Sequence, residues 1–540
     1  MTRSPGTFTD ILLAMGSRGG RPCFSYVPEG QVGPAETLSY AEVLDRSLRF
    51  GAGLQAYGVQ RGDRVAMIAE PGPDYFTVFL GAILIGAVPA PINHNFRHAE
   101  TADYLAYIDP RLVICDAVTQ SLVNAVAGSA SVGWRALTIG GVAAEREPPP
   151  AAAGAPARLT WKDREPADTY PAQPEDLVMI LHTSGTTALP KGVERTHKAV
   201  RSFIDRWVGY AFREHDVILS WNPFYHQSGT LTSSLPMLAA GGHIVQWQRF
   251  SASQFWDVVE RNRPTVATFA APTATYLVLQ PPRSGDSDNT IEFGIGGGRP
   301  DHWSTFQERF RINAHTPYGS TETSYATMTG GRDDPPIPAS ELALAGSHFY
   351  TGPAIPDFAE VRIMGPAGPT CPGVPGEIQV RGPAVFERYF RLPEVTARSF
   401  DGDWFRTGDL GYLRDDGHLF LIDRMKQVIR RSSENISPQE IEMALAQCPG
   451  VRECAVIGVP DPIRHQEILA CVILEEGAAL DPLQLLAFCA ERLSEFKVPR
   501  YVEVWPDFPR TGTMKVRKDE LLLGARGVTR FDRLAAVQSS

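Results

Sequence analysis

Between Leu181 and Val193 the chain reads Leu-His-Thr-Ser-Gly-Thr-Thr-Ala-Leu-Pro-Lys-Gly-Val. Thr183, Ser184, Gly185, Thr186, Thr187 and Lys191 thus follow directly on the apolar run Val178–Leu181. Glycine lets backbone N–H groups converge on an anion, hydroxyls donate further bonds and lysine adds charge, so the stretch suits a phosphate. It is not a P-loop: Pro190 stands where that motif needs its second glycine, and Gly192 rather than Ser or Thr follows Lys191. The run Gly294-Ile-Gly-Gly-Gly-Arg-Pro300 fails as a dinucleotide fingerprint, because Arg299 takes the place of the third glycine; it is a tight turn that could line a ligand. In Tyr318-Gly-Ser-Thr-Glu-Thr323 a ring can stack on a base, a hydroxyl can reach a phosphate and the Glu322 carboxylate can hold Mg²⁺. Asp409, in Thr407-Gly-Asp, can accept from two vicinal ribose hydroxyls or cap a turn. Lys515, alone, reads as solvated surface. His226 lacks a partner acid and no G-x-S-x-G elbow exists, while His197, His243 and His315 lack metal-ligand spacing.

The elements that must position these residues alternate. A helix is predicted over 40–57 and another over 73–85. Short apolar strands are predicted at 64–68, 88–91, 112–115, 177–181, 216–220, 243–247 and 265–269. Such alternation specifies α/β layers. Residues 143–176, rich in Ala and Pro, read as a surface excursion. From about 355 the pattern turns β-rich, with strands at 359–363, 376–381, 411–414 and 418–421. After Asp423 helices and strands resume at 438–448, 453–459, 467–474, 482–493 and 501–504, and no pattern is legible after Leu523. The fold class is therefore α/β with several subdomains: a large N-terminal α/β domain with a β-rich subdomain, residues 1–423, and a small α+β C-terminal domain, residues 424–540.

Composition narrows the function. The 540 residues carry 51 basic and 61 acidic side chains, a formal charge of −10, which gives no general attraction for nucleic acid or an anionic membrane. The most apolar stretch, 79–91, is too short to span a bilayer and is broken by glycine and proline. Seven scattered cysteines without a C-x-x-C pair argue for reduced thiols, and no signal-peptide pattern opens the chain. The expectation is a cytoplasmic enzyme or binding protein acting on small molecules.

Taken in order, these motifs resemble the adenylate-forming superfamily, which includes acyl- and aryl-CoA synthetases, luciferases and peptide-synthetase adenylation domains. Thr183–Val193 is similar to its phosphate loop, Asn222–Gly229 to the segment beside the acyl pocket, and Gly296–Pro300 to the adenine loop. Tyr318–Glu322 resembles its Tyr-Gly-x-Thr-Glu motif, Thr407–Asp409 its ribose-binding Thr-Gly-Asp, Asp423–Pro438 its hinge, and Pro509–Lys515 its terminal catalytic-lysine motif. The resemblance implies an ATP- and Mg²⁺-dependent attack of a carboxylate on the α-phosphate, then transfer from the adenylate. In that reading Lys515, Thr321 and His226 are catalytic, and Glu322 holds the metal. ATP or AMP is bound by Thr183, Ser184, Gly185, Thr186, Thr187, Lys191, Gly297, Gly298, Arg299, Tyr318, Gly319, Thr321, Asp409, Arg424 and Lys515. Lys426 is the hinge about which a mobile C-terminal domain swings.

Three departures stand out: Ala188 and Met514 replace usual glycines, and Ser433 replaces a glycine on the acceptor path. The leading expectation is an acyl- or aryl-CoA ligase taking a small carboxylic acid, with CoA as co-substrate. The alternatives are a secondary-metabolism relative whose acceptor is an amine, a separate carrier-protein thiol or a nitrogen species such as nitrite in a diazotase, and a non-catalytic homologue. Oligomeric state is not legible.

Overall fold

The alternating helices and strands build two largely parallel sheets. In the first, seven strands lie in the order Asn313–His315, Phe293–Gly296, Val266–Phe269, Val217–Ser220, His243–Trp247, Pro22–Val27 and Glu36–Ser39, all parallel except the last. The second is parallel throughout, in the order Val88–Pro91, Arg64–Ile68, Leu112–Cys115, Arg135–Thr138 and Ala157–Arg158. The computed structural model describes residues 6–96, 98–129, 133–140, 157–183, 191–269, 271–296, 300–338, 340–341, 349–424, 427–431, 434–461, 464–479, 481–493, 495–510, 515–522 and 528–533.

Local chemistry sets the helices between these strands. Tyr40–Ala56 starts at Ser39, whose hydroxyl accepts from Glu42 N while the Glu42 carboxylate accepts from Ser39 N, a reciprocal cap worth about 1 kcal/mol. Pro73–Leu84 starts on its proline and buries every residue except Asp74. That burial accounts for the most apolar stretch of the sequence: it is a core helix, and no described helix is long and apolar enough to cross a membrane.

A third, antiparallel sheet contains Phe349–Gly352, Leu419–Arg424, Trp404–Leu413, Gly376–Arg381 and Glu360–Gly365. For the longest of these strands the sequence predicts only 411–414. The strand begins at Trp404 instead and takes Thr407–Asp409 into the ladder. The C-terminal part has its own sheet, including Ile429–Arg431, His465–Leu474 and Tyr501–Val504, and its own apolar cluster around Ile429, Ile441, Leu445, Val456, Ile468 and Leu485.

Three features depart from the sequence reading. The unassigned N-terminus supplies the helix Phe8–Ala14 and the sheet strand Pro22–Val27. The tail supplies Arg530–Asp532, which pairs with Tyr501–Val504. Of the supposed excursion, 143–156 lie outside the described residues, but residues 157–161 are not loose. Ala157–Arg158 extends the parallel sheet, Leu159 is buried, and Arg46 sits 4.6 Å above the Trp161 ring.

Candidate active site

Four neighbouring parallel strands end at Ser220, Phe269, Gly296 and His315. Ligands of open α/β sheets collect beyond such carboxyl ends. Asn222–Gly229 leaves the first of these ends, and the fourth leads into the hairpin Pro317–Ser320/Ser324–Met328. Two glycines are fixed by backbone crowding. A Cβ on Gly296, at φ +157°, would lie 1.7 Å from Phe269 O, and one on Gly319 would lie 1.6 Å from Ser324 O. The glycines found in the sequence thus let strands close up behind the site.

The Ser320–Thr323 turn is held from inside. Ser320 N donates to Thr323 Oγ1 at 2.9 Å, and Ser324 takes a positive φ of 55°. Arg195, fully buried, donates through Nη2 to Ser324 Oγ (2.8 Å) and through Nη1 to the Glu322 carbonyl (3.3 Å). Burial pushes this guanidinium down to about 10, opposed by the Glu322 charge. Thr321 and Glu322 are therefore presented by a turn braced on a buried cation.

The phosphate-loop candidate hangs on a hairpin, Leu177–His182 against Gly192–Thr196. At its neck Thr183 N donates to Lys191 O (3.1 Å), and Lys191 N donates to Thr183 Oγ1 (3.3 Å). Lys191 Nζ lies 4.6 Å above the ring of Tyr389, whose hydroxyl donates to Glu322 Oε1 at 2.8 Å. One tyrosine thus joins the lysine of one motif to the carboxylate of another. Tyr389 and Arg195 were both missed in the sequence, where neither belongs to a spaced motif.

On the opposite side Tyr318, Asp409 and Arg424 converge. Asp409 and Arg424 are cross-strand partners, 2.7 Å apart from Oδ1 to Nε, and Tyr318 OH donates to Asp409 Oδ2 at 2.7 Å. Asp409 is only 5% exposed. Burial raises its carboxyl above the usual range, against the pull of Arg424 and Tyr318, and burial likewise raises the Tyr318 phenol. The Tyr318 ring sits in an apolar cluster with Ala326, Ile378 and Val380, so its main visible task is to aim Asp409.

Lys515 arrives from the C-terminal part. Its surface remains exposed, yet the surrounding protein desolvates the ammonium and, with the Arg424 charge, lowers its pKa, while Asp409 raises it. His226 feels the same lysine: burial first, then the Lys515 charge, drive the imidazole down to about 4. Ser228 N donates to His226 Nδ1 at 3.2 Å, which leaves the ring proton of the neutral form on Nε2. The structure therefore gathers Lys515, His226, Asp409 and Arg424 within electrostatic reach of one another.

Other sequence candidates fare differently. Ser184–Thr187, Gly297, Gly298, Arg299, Lys426 and Ser433, with the departures Ala188 and Met514, lie outside the described residues. Trp247 is fully buried and packs edge-on against Trp221 at 6.3 Å, so it is core. Trp221 stays partly exposed at the strand end.

Comparison with known proteins gives this geometry a lineage. The AMP-binding enzyme family matches residues 14–390, and the AMP-binding enzyme C-terminal domain matches residues 440–515. Crotonobetaine/carnitine–CoA ligase of Escherichia coli O157:H7 is 30% identical over 503 residues, covering 91% of this chain and 94% of its own. ATP-bound MatB from Rhodopseudomonas palustris superposes with a TM-score of 0.81 at 28% identity, over 95% of this chain and 98% of that one. The amide bond synthetase McbA from Marinactinospora thermotolerans shares the fold, with a TM-score of 0.80 at 24% identity, over 95% and 99% of the two chains. With a family match across most of its length and a relative aligned almost end to end, the protein belongs to the AMP-binding enzymes.

Proposed function

We propose that the protein activates a small carboxylic acid with ATP and passes the acyl group to coenzyme A, as an AMP-forming acid–thiol ligase. The observation that carries this reading is Lys515 standing among Asp409, Arg424 and His226, residues of distant segments. The substrate carboxylate attacks the α-phosphorus, the bond to the bridging oxygen breaks, and pyrophosphate leaves. A thiolate then attacks the acyl carbon and AMP departs. Charge spreads onto phosphate oxygens in the first step, and fixed donors do most to stabilise it.

In this assignment Asp409 accepts from the ribose hydroxyls, Arg424 orients Asp409, Thr183 and Lys191 meet the outer phosphates, and Thr321 donates to phosphate. Lys515 bridges the attacking carboxylate and the α-phosphate, and neutral His226 lies beside the acyl group. Glu322 supplies one hard oxygen ligand, its other demand being the Tyr389 hydrogen bond, and among the described residues no group of three potential ligands could cage a metal. That donor set fits Mg²⁺, which is usually held by one or two carboxylates together with substrate phosphates and neutralises them. Residues 1–423 then form the nucleotide-binding domain and residues 424–540 the domain that brings Lys515.

Coenzyme A as acceptor is supported by the kinship with CoA ligases. One sequence feature favours a second reading, in which adenylation is kept but the acceptor is an amine or a carrier thiol: by the family resemblance, Ser433 takes the place of a glycine on the acceptor path. Acid-dependent exchange of labelled pyrophosphate into ATP, followed by addition of CoA and mass analysis, tests both readings. No exchange across a carboxylate panel refutes adenylation; exchange without thioester refutes CoA.

A further inference from the structure

Lys518, three residues beyond Lys515, begins the short helix Lys518–Leu522. Its side chain is only 20% exposed, and its Nζ donates to Glu442 Oε1 at 2.7 Å. Glu442 belongs to the helix Pro438–Leu445, and the same oxygen accepts from Val456 N at 2.7 Å. The segment that carries Lys515 is thereby tied to a helix and a strand of the C-terminal sheet.

A second carboxylate faces this pair from another sheet. Asp423, 9% exposed, is in the strand Leu419–Arg424 of the β-rich subdomain. Its Oδ1 accepts from Arg424 N (2.7 Å) and its Oδ2 from Ser437 Oγ (3.2 Å), the residue that precedes the Pro438–Leu445 helix. The Lys518 and Glu442 charges both act on Asp423, in opposite directions. Without the ammonium, the Glu442 charge would act on the buried Asp423 carboxylate uncompensated, a costly arrangement. Lys518–Glu442 lies within the C-terminal unit, whereas Ser437–Asp423 joins that unit to the β-rich sheet. Any reorientation of that unit parts the second pair and keeps the first.

We propose that Lys518 is a positioning residue for adenylation: between Glu442 and Asp423, it holds the Lys515 segment in the orientation that delivers the catalytic ammonium. The proposal rests on the adenylation reading. It explains why Lys518, largely covered, is set beside two acids, and it assigns Asp423 a role beside that of its neighbour Arg424.

The test is acid-dependent exchange of labelled pyrophosphate into ATP, with benzoate, malonate and crotonate as probe acids. Lys518→Ala is expected to lower kcat about tenfold while KM for ATP moves less than about twofold, because misplacement of a catalytic group costs rate rather than ATP affinity. Lys518→Arg, which keeps the charge, is expected to stay within about twofold of wild type. Asp423→Asn, which leaves Lys518–Glu442 in place, is expected to lose about fivefold with a melting temperature within about 2 °C of wild type. Wild-type protein that exchanges with none of the three acids removes the adenylation reading itself. Given wild-type exchange, the positioning role is overturned by Lys518→Ala at the wild-type rate or by Lys518→Arg as slow as Lys518→Ala. Should Lys518→Ala not fold, unaltered exchange in Asp423→Asn overturns it.

Discussion

Asp409 and Lys515 bring opposite charges to one site and are held in opposite ways. Asp409 lies in a ten-residue strand, 5% exposed, with Tyr318, Arg424 and Thr407 all bonded to it. Lys515 directly precedes Val516, which bridges to Arg510, and stands three residues before a five-residue helix; it keeps much of its surface. The first arrangement is preorganised: the carboxylate is aimed before any nucleotide comes. The second is assembled, because its cation depends on how one unit meets another. Affinity is thus expected to reside in the sheets, and rate in the approach of the C-terminal part.

The comparison breaks hardest at Lys515. Lys515→Ala is expected to lower kcat for pyrophosphate exchange by about a hundredfold or more, with KM for ATP nearly unchanged, since a preorganised charge at the transition state is lost. Exchange at the wild-type rate would remove Lys515 from the mechanism. Asp409→Asn gives the mirror image: about thirtyfold in kcat/KM, carried mainly by KM for ATP, because a buried charge-assisted bond is removed from ground and transition states alike. A loss confined to kcat in this variant would erase the division between the two regions.

Tyr389→Phe sharpens the picture at the junction of Lys191 and Glu322. Without the phenol bond to Oε1 the carboxylate is less well oriented, and about threefold more Mg²⁺ should be needed for half-maximal exchange. A magnesium titration superimposable on wild type would make Tyr389 mere packing. The smallest effect concerns pH. His226, near 4 when folded and about 6.5 when unfolded, is neutral in the native state, so the unfolded chain binds the extra proton between these values. Its contribution is complete above about pH 6.5 and lost as pH falls toward 4. Denaturant unfolding at pH 7 and pH 5 should show His226→Gln losing about 2 kcal/mol less than wild type over that interval. In Lys515→Ala the same histidine should titrate higher, since one of the two causes of its depression is gone.

Much of this was legible along the chain because the signals are local. Arg64–Ile68, Val88–Pro91, Leu112–Cys115, His243–Trp247 and Gly376–Arg381 occur where short apolar runs meet Gly, Pro or Asp. The turn presenting Thr321 and Glu322 is contiguous, and so is the neck at Thr183 and Lys191. Tyr389 and Arg195 escaped for the converse reason: Tyr389 meets Glu322 across 67 residues and Arg195 meets it across 127, and a lone Tyr or Arg has no period to betray it. Lys515 gained meaning only through likeness to a family. Trp221 and Trp247 could not be told apart along the chain, because residue type alone cannot separate a ring at a strand end from one that fills a core. The strand at Arg530–Asp532 was invisible because three residues cannot show alternation; its partner Tyr501–Val504 supplies the reason it exists.

The strand Pro22–Val27 has a consequence for how the molecule is made. It pairs in parallel with His243–Trp247, and Arg21 donates to the carbonyl of Gly241, 220 residues along the chain. At ribosomal speeds of about 5–20 residues per second, its neighbour emerges roughly 10–40 s later. The sheet built from Arg64–Ile68, Val88–Pro91 and Leu112–Cys115 draws on nearby sequence and can close meanwhile. Through that interval Cys23, Phe24 and Tyr26, all buried in the finished protein, can pair only with the nearby strand Glu36–Ser39, and their other edge stays open. The nascent N-terminus is therefore a segment for a chaperone to cover, and a chain truncated before residue 243 would keep that apolar edge exposed for good.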